Sequence, residues 1–226
     1  MSKLPDEQLD GVGLAQAAVV CELCGREFDA TRQLVNGTWH YRRSGVLGAE
    51  KNAQGAVPVV LTLQQFSVNL GGSLRRSMYS PSLDLKPKDA ADPAKCEIDF
   101  LWLTARPYPD KSAVILGECK DRGGNGNIDT IDAENIDNLK RVADALPRKR
   151  FETFIALVKL CPFTENEIAL ARTLNDPYRL RAILLTAREL EPNHFYERTK
   201  LEFANIKPHA STPEQLAITT AQMYFK

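Results

Sequence analysis

Apolar residues recur along this chain in two rhythms, one of period about 3.6 and one of period 2. Between Val57 and Leu70, the residues Leu63, Phe66 and Leu70 fall on one helical face. Val59-Val60-Leu61 would also suit a strand, but the spacing favours a helix that Gly71-Gly72 stops. Strand-like runs follow at 78–85, 97–104 and 113–120, with Pro81 marking the first as an edge strand. Pro107-Tyr108-Pro109-Asp110 is a turn that predicts an antiparallel hairpin from the second and third runs. A helix begins near Asp132 with Ile136, Leu139, Val142, Ala143 and Leu146 on one face, and Pro147 ends it. Residues 152–160 are apolar enough for a central strand. Thr164 and Glu167 form a capping-box pattern that opens a helix over 165–174, and 178–186 predicts a last strand. Residues 187–226 read as polar and partly helical. This order of elements predicts an α/β fold, a mixed sheet flanked by helices.

The first fifty residues differ in texture. Ala17-Ala18-Val19-Val20 leads into Cys21-Glu22-Leu23-Cys24-Gly25, and Asn36-Gly37 is a hairpin signal ahead of the strand-like 38–42. Residues 48–57 read as a linker. The expected organisation is a small β-rich unit over 1–50 and a larger domain over 51–226.

Composition narrows the classes without choosing a function. A 226-residue chain that is 43% hydrophobic and 26% charged has the make-up of a globular protein. Its 29 basic and 29 acidic residues cancel, so attraction to a polyanion must come from local patches such as Arg42-Arg43, Arg75-Arg76 or Arg148-Lys149-Arg150. Each patch also suits an ordinary solvated surface. No apolar run approaches the ~20 residues that cross a bilayer, and the first residues lack a signal-peptide pattern. Five cysteines without a disulfide-framework spacing fit a reducing compartment. The expectation is a cytoplasmic protein with no membrane association.

The chemistry gathers at the end of the third strand. Glu118-Cys119-Lys120 closes an apolar run, and Asp99 lies within the preceding strand. Alternation puts Glu118 and Lys120 on one face, Glu97 and Asp99 on one face, and Cys96 and Cys119 on the opposite faces as small buried hydrophobes. Charges inside apolar strands are costly unless paired or bound to a metal. Mg²⁺ takes oxygen ligands; Asp99 and Glu118 offer two carboxylates, and a backbone carbonyl near Cys119 a third oxygen. Lys120 is placed to orient a water or to stabilise transition-state charge. The reaction this set suits is metal-assisted hydrolysis of a phosphodiester. The competing reading is a cross-strand salt-bridge ladder on an exposed sheet face, against which the apolar neighbours Val114 and Leu116 argue.

Asp99 followed by Glu118-x-Lys120 on the next strand resembles the signature of the PD-(D/E)XK nucleases, the restriction-endonuclease-like superfamily. The order of elements over residues 57–186 resembles it too. The resemblance implies a core of helix, three strands, helix and strand, with Asp99 and Glu118 binding Mg²⁺ (or Mn²⁺) and Lys120 assisting the attacking water. It implies a metal-dependent nuclease, with DNA as the favoured nucleic-acid substrate. The motif's proline is absent, since Ile98 precedes Asp99. Members often carry a further ligand on the first helix, where this chain offers Gln64 or Gln65, with Glu50 upstream. Cutting both strands of a duplex takes two sites, which leaves a homodimer or a partner subunit open.

Other features are secondary. Loop residues 121–127 hold three glycines, and Arg122 is a candidate phosphate contact or an ordinary surface residue. Cys21-x-x-Cys24 has zinc-knuckle spacing, but a structural zinc site needs four ligands, and His40, His194 and His209 are the remaining candidates. Zinc, an incomplete ribbon and a redox pair all stay open. Cys161 is expected in the core. The alternative to an enzyme is a catalytically silent nuclease-like module that binds nucleic acid or protein.

Overall fold

The computed structural model describes residues 18–20, 27–29, 53–70, 76–85, 96–107, 109–120, 130–191, 195–197, 199–203, 205–206 and 210–225. The chain divides into two units, Met1–Arg42 and Arg43–Lys226. In the first, β1 (Ala18–Val20) pairs antiparallel with β2 (Glu27–Asp29). Cys21, Cys24, His40, His194 and His209 lie outside the described residues, as do Glu50, the predicted hairpin at 36–42 and the loop carrying Arg122.

The second unit is a five-stranded mixed sheet flanked by helices. Its elements are α1 (Ala53–Asn69), β3 (Arg76–Leu85), β4 (Cys96–Ala105), β5 (Ser112–Lys120), α2 (Ala133–Ala145), β6 (Phe151–Lys159), α3 (Glu165–Arg172), β7 (Ala182–Leu185) and α4 (Pro213–Tyr224). Strand order follows the chain, β3-β4-β5-β6-β7. The first three strands pair antiparallel, and β5, β6 and β7 run parallel. A helix, three antiparallel strands, a helix and a parallel strand therefore succeed one another as the sequence pattern predicts. No helix among the described residues is long and apolar enough to cross a membrane.

Strand alternation sorts the core into two layers. Ala113, Ile115 and Cys119 of β5 join Leu63, Phe66 and Leu70 of α1, together with Phe195, Tyr196 and Leu216 from the C-terminal segment. Val114 and Leu116 join Ile136, Leu139 and Ala143 of α2. The helical spacing of Leu63, Phe66 and Leu70 thus decides α1 despite its valines and the internal Pro58. Helices α2 and α3 begin as their caps dictate: Asp132 accepts the Asn135 amide, and Thr164 with Glu167 closes a reciprocal box.

Two expectations change. The last strand starts at Ala182 rather than residue 178, because Asp176, Pro177 and Tyr178 make a turn in which Asp176 Oδ1 accepts the Tyr178 amide at 3.0 Å. Tyr178 is 99% exposed there. The C-terminal segment is also less polar in role than in composition, since Phe195, Tyr196, Leu216 and Ala217 are buried against the α1 face.

Candidate active site

The site forms where β4 and β5 separate. Their ladder runs from Thr104–Ala113 to Phe100–Gly117 and stops, so Asp99 and Glu118 are the next residue on each strand. Beyond that point a side chain replaces the ladder: the Cys119 backbone N–H donates to Asp99 Oδ2 at 2.6 Å. The N–H and C=O of one extended residue point to the same side. The Cys119 carbonyl therefore projects toward β4 as well.

The other side of β4 is irregular at the same level. Its register with β3 runs through Pro81–Phe100, skips Ser82 and Asp99, and resumes at Leu83–Ile98. Ser82 has φ 47°, a left-handed conformation that costs a non-glycine residue roughly 1–2 kcal/mol. The buried residues of β4 change layers here too: Cys96 and Ile98 pack with α2, whereas Phe100 and Trp102 pack with α1. Asp99 thus occupies a switch in the strand, where its carboxylate is not committed to either sheet face.

Glu118 is 9% exposed. Lys120, on the same strand, places its Nζ 2.8 Å from Glu118 Oε1. This pairing runs along β5 beside a buried layer, unlike a ladder across an exposed sheet face. Burial pushes the Asp99 carboxyl above its ordinary range, and the Cys119 amide and the Lys120 charge only partly oppose it. Burial also pushes Glu118 up, the Asp99 charge adds to this, and Lys120 offsets part. Glu97 is exposed and adds repulsion to both. Two largely desolvated carboxylates, with the charge of Asp99 pushing Glu118 up further, offer oxygen donors of the kind a hard divalent cation takes. Among the described residues, no three His, Cys, Asp or Glu side chains form a larger cluster able to hold a metal.

The first-helix candidates do not join this group. Gln64 is exposed. Gln65 is buried, but its Nε2 donates to the carbonyls of Leu190 and Glu191 at 3.3 and 2.7 Å, and its Oε1 accepts from Asn69 at 2.8 Å. It fastens α1 to the C-terminal segment. Cys96 and Cys119 are buried as expected, and burial raises the Cys119 thiol well above its ordinary range, which keeps it protonated and inert. Cys161 is half-buried just beyond β6. Arg148, Lys149 and Arg150 are exposed.

One neighbour escaped the sequence reading. Lys159 ends β6 directly beside Lys120 in the parallel ladder and is 1% exposed. Its ammonium donates to both Glu167 oxygens, at 2.7 and 3.0 Å. Glu167 also accepts the Ile131 amide at 2.9 Å and the Thr164 amide at 2.8 Å, which ties the starts of α2 and α3 to the strand end. A lone lysine closing the apolar run 154–158, upstream of the Thr164–Glu167 box, was the available signal.

The fold is a mixed α/β sheet with the element order of restriction-endonuclease-like domains, and the paired carboxylates lie on its second and third strands. No family model matches the chain, and no curated protein matches it. Among solved structures, the chain is similar to protein VC1899 from Vibrio cholerae, at 17% identity and a TM-score of 0.36, over 59% of this chain and 29% of that one. It is also similar to the MspJI restriction endonuclease in complex with a 27-mer oligonucleotide, at 16% identity and a TM-score of 0.34, over 77% of this chain and 34% of that one. The chain therefore spans at most 34% of the length of either protein.

Proposed function

We propose that the protein is a metal-dependent nuclease that hydrolyses phosphodiester bonds, with DNA as its substrate. The observation that carries this reading is the meeting of Asp99 and Glu118 at the open end of the β4–β5 ladder with the Lys120 ammonium beside them. Asp99 and Glu118 would hold Mg²⁺ or Mn²⁺, with the Cys119 carbonyl as a further oxygen. When bound, such an ion polarises a phosphoryl oxygen and acidifies its water. The chain's own groups do the rest. The Cys119 amide fixes the rotation of Asp99 by holding Oδ2. Glu118 keeps Lys120 extended along the strand end. From there the ammonium can donate to the attacking water or to a phosphate oxygen as charge develops. Arg122 follows the motif directly in sequence and is the first candidate for a phosphate contact.

Supercoiled plasmid and linear DNA, incubated with Mg²⁺, Mn²⁺ or chelator, test this reading. The expected result is metal-dependent cutting that falls by about a hundredfold or more in Glu118→Ala and Lys120→Ala. Cutting that survives both substitutions would overturn the site. A parent protein that binds DNA but does not cut it would favour the silent binding module.

A further inference from the structure

We infer that Gly117 and Phe100 act together as a spacer that sets how closely Asp99 approaches Glu118. They are positioning residues, and the inference rests on the reading of Asp99 and Glu118 as a metal-holding pair. Each stands next to one carboxylate in the chain, and together they are the last paired position of the β4–β5 ladder. A Cβ on Gly117 would clash with the Phe100 ring at Cε1, Cζ and Cδ1, far closer than van der Waals contact. The ring therefore occupies the space that a side chain at residue 117 would need. Gly117 sits within an ordinary strand, so the glycine answers a need for space rather than for an unusual dihedral.

The ring has no room to withdraw. Phe100 is fully buried in the α1 layer, and the Phe66 ring meets it edge-on at 5.9 Å and 76°. A methyl at residue 117 must therefore push β4 away from β5 at the point where the strands already begin to part. The first group affected is the next one out: the Asp99 carboxylate, which now bridges to the Cys119 amide at 2.6 Å. The skipped β3 pairing at Asp99 leaves that residue without a second ladder to resist the movement. Phe100 is fully buried and Gly117 has no side chain, so the spacer acts through the carboxylates next to it.

Two readouts test it on the full chain: the Cys119 amide proton resonance in chelator, and Mn²⁺ affinity. Gly117→Ala should shift the resonance upfield, as the bond to Asp99 lengthens, and weaken Mn²⁺ about tenfold or more. Phe100→Val, which removes all three ring carbons in question, should also disturb the resonance by leaving a void. The combination Gly117→Ala/Phe100→Val should return both readouts toward the parent values. Ala113→Val, which overpacks the same layer at the far end of β5, should leave them in place. The spacer is overturned if folded Gly117→Ala keeps both parent readouts, or if Ala113→Val disturbs them equally. If Gly117→Ala does not fold, an unmoved resonance in Phe100→Val overturns it. A parent protein that binds no Mn²⁺ would remove the metal-site reading, while the amide resonance would still decide the spacer.

Discussion

Two lysine–carboxylate pairs meet at the ends of β5 and β6, and the fold satisfies them unequally. Lys120 and Lys159 are direct partners in the parallel ladder. Each ammonium meets a carboxylate at close range, Glu118 at 2.8 Å and Glu167 at 2.7 Å. Burial pushes both carboxyls up. At Glu167, the hydrogen bonds from Lys159, Thr164 and Ile131 outweigh that push and bring it below its ordinary value. At Glu118, the neighbouring Asp99 adds to the push, and Lys120 does not compensate. One carboxylate is fully satisfied by the fold; the other is held in a site that repels its charge. A structural ion pair is finished when the chain folds, whereas a binding site keeps a deficit that a ligand can fill.

Breaking the two pairs should therefore have unlike consequences. Glu167→Gln leaves the Lys159 ammonium buried without its counter-charge and weakens the ties to α2 and α3. We expect a loss of about 3–5 kcal/mol in denaturant unfolding. Glu118→Gln, in the same experiment with chelator, should cost less than about 1 kcal/mol, because it also removes repulsion from Asp99. Equal losses would abolish the contrast.

A ligand should sharpen it next. Mn²⁺ at a hundred times its dissociation constant should stabilise the parent protein by about 2.7 kcal/mol. Asp99→Asn should cancel that gain and raise the melting midpoint of the metal-free protein. Its side-chain oxygen can still accept the Cys119 amide, while the charge that repels Glu118 is gone. A metal-free midpoint below that of the parent would show that the Asp99 charge is not under strain.

The unlike legibility of these pairs has a physical cause. Glu118 and Lys120 were visible in the sequence because both are local departures from the apolar alternation of one strand. Lys159 departs from its strand in the same way, but its partner lies in the next helix, behind a capping pattern that accounts for Glu167 without it. Gly117 gave no sign, since its meaning depends on a ring one strand away. The strands of the sheet were legible from period and turns. The late start of β7 followed from the Asx turn at Asp176, which the run of apolar residues up to Leu185 concealed. The cover over α1 was missed because its buried residues ahead of α4, Phe195, Tyr196, Ile206 and Ala210, follow no helical or strand period in the sequence. Helix α4 did carry a signal in Thr212-Pro213, a cap followed by a proline suited to a helix's first turn.

The smallest expected effect is a difference in pH dependence, measured as unfolding midpoint against pH in chelator. Glu167 has a folded pKa below its ordinary 4.5, so the folded state binds fewer protons than the unfolded one in the window beneath that value. Its contribution is present above pH 4.5 and fades as pH falls through the folded pKa. Asp99 and Glu118 have raised folded values, so the folded state binds more protons in the window above their ordinary 3.8 and 4.5. Their contribution is a destabilisation that is absent below those values and grows as pH rises through the folded pKa. The two pairs thus bend the curve in opposite senses on either side of about pH 4.5. Glu167→Gln should flatten the acid limb alone. Asp99→Asn should lift the limb toward neutrality alone, because it removes its own raised group and part of the cause at Glu118. Parallel curves for parent, Glu167→Gln and Asp99→Asn would mean that both carboxylates are equally satisfied and that β5 ends in a second structural ion pair.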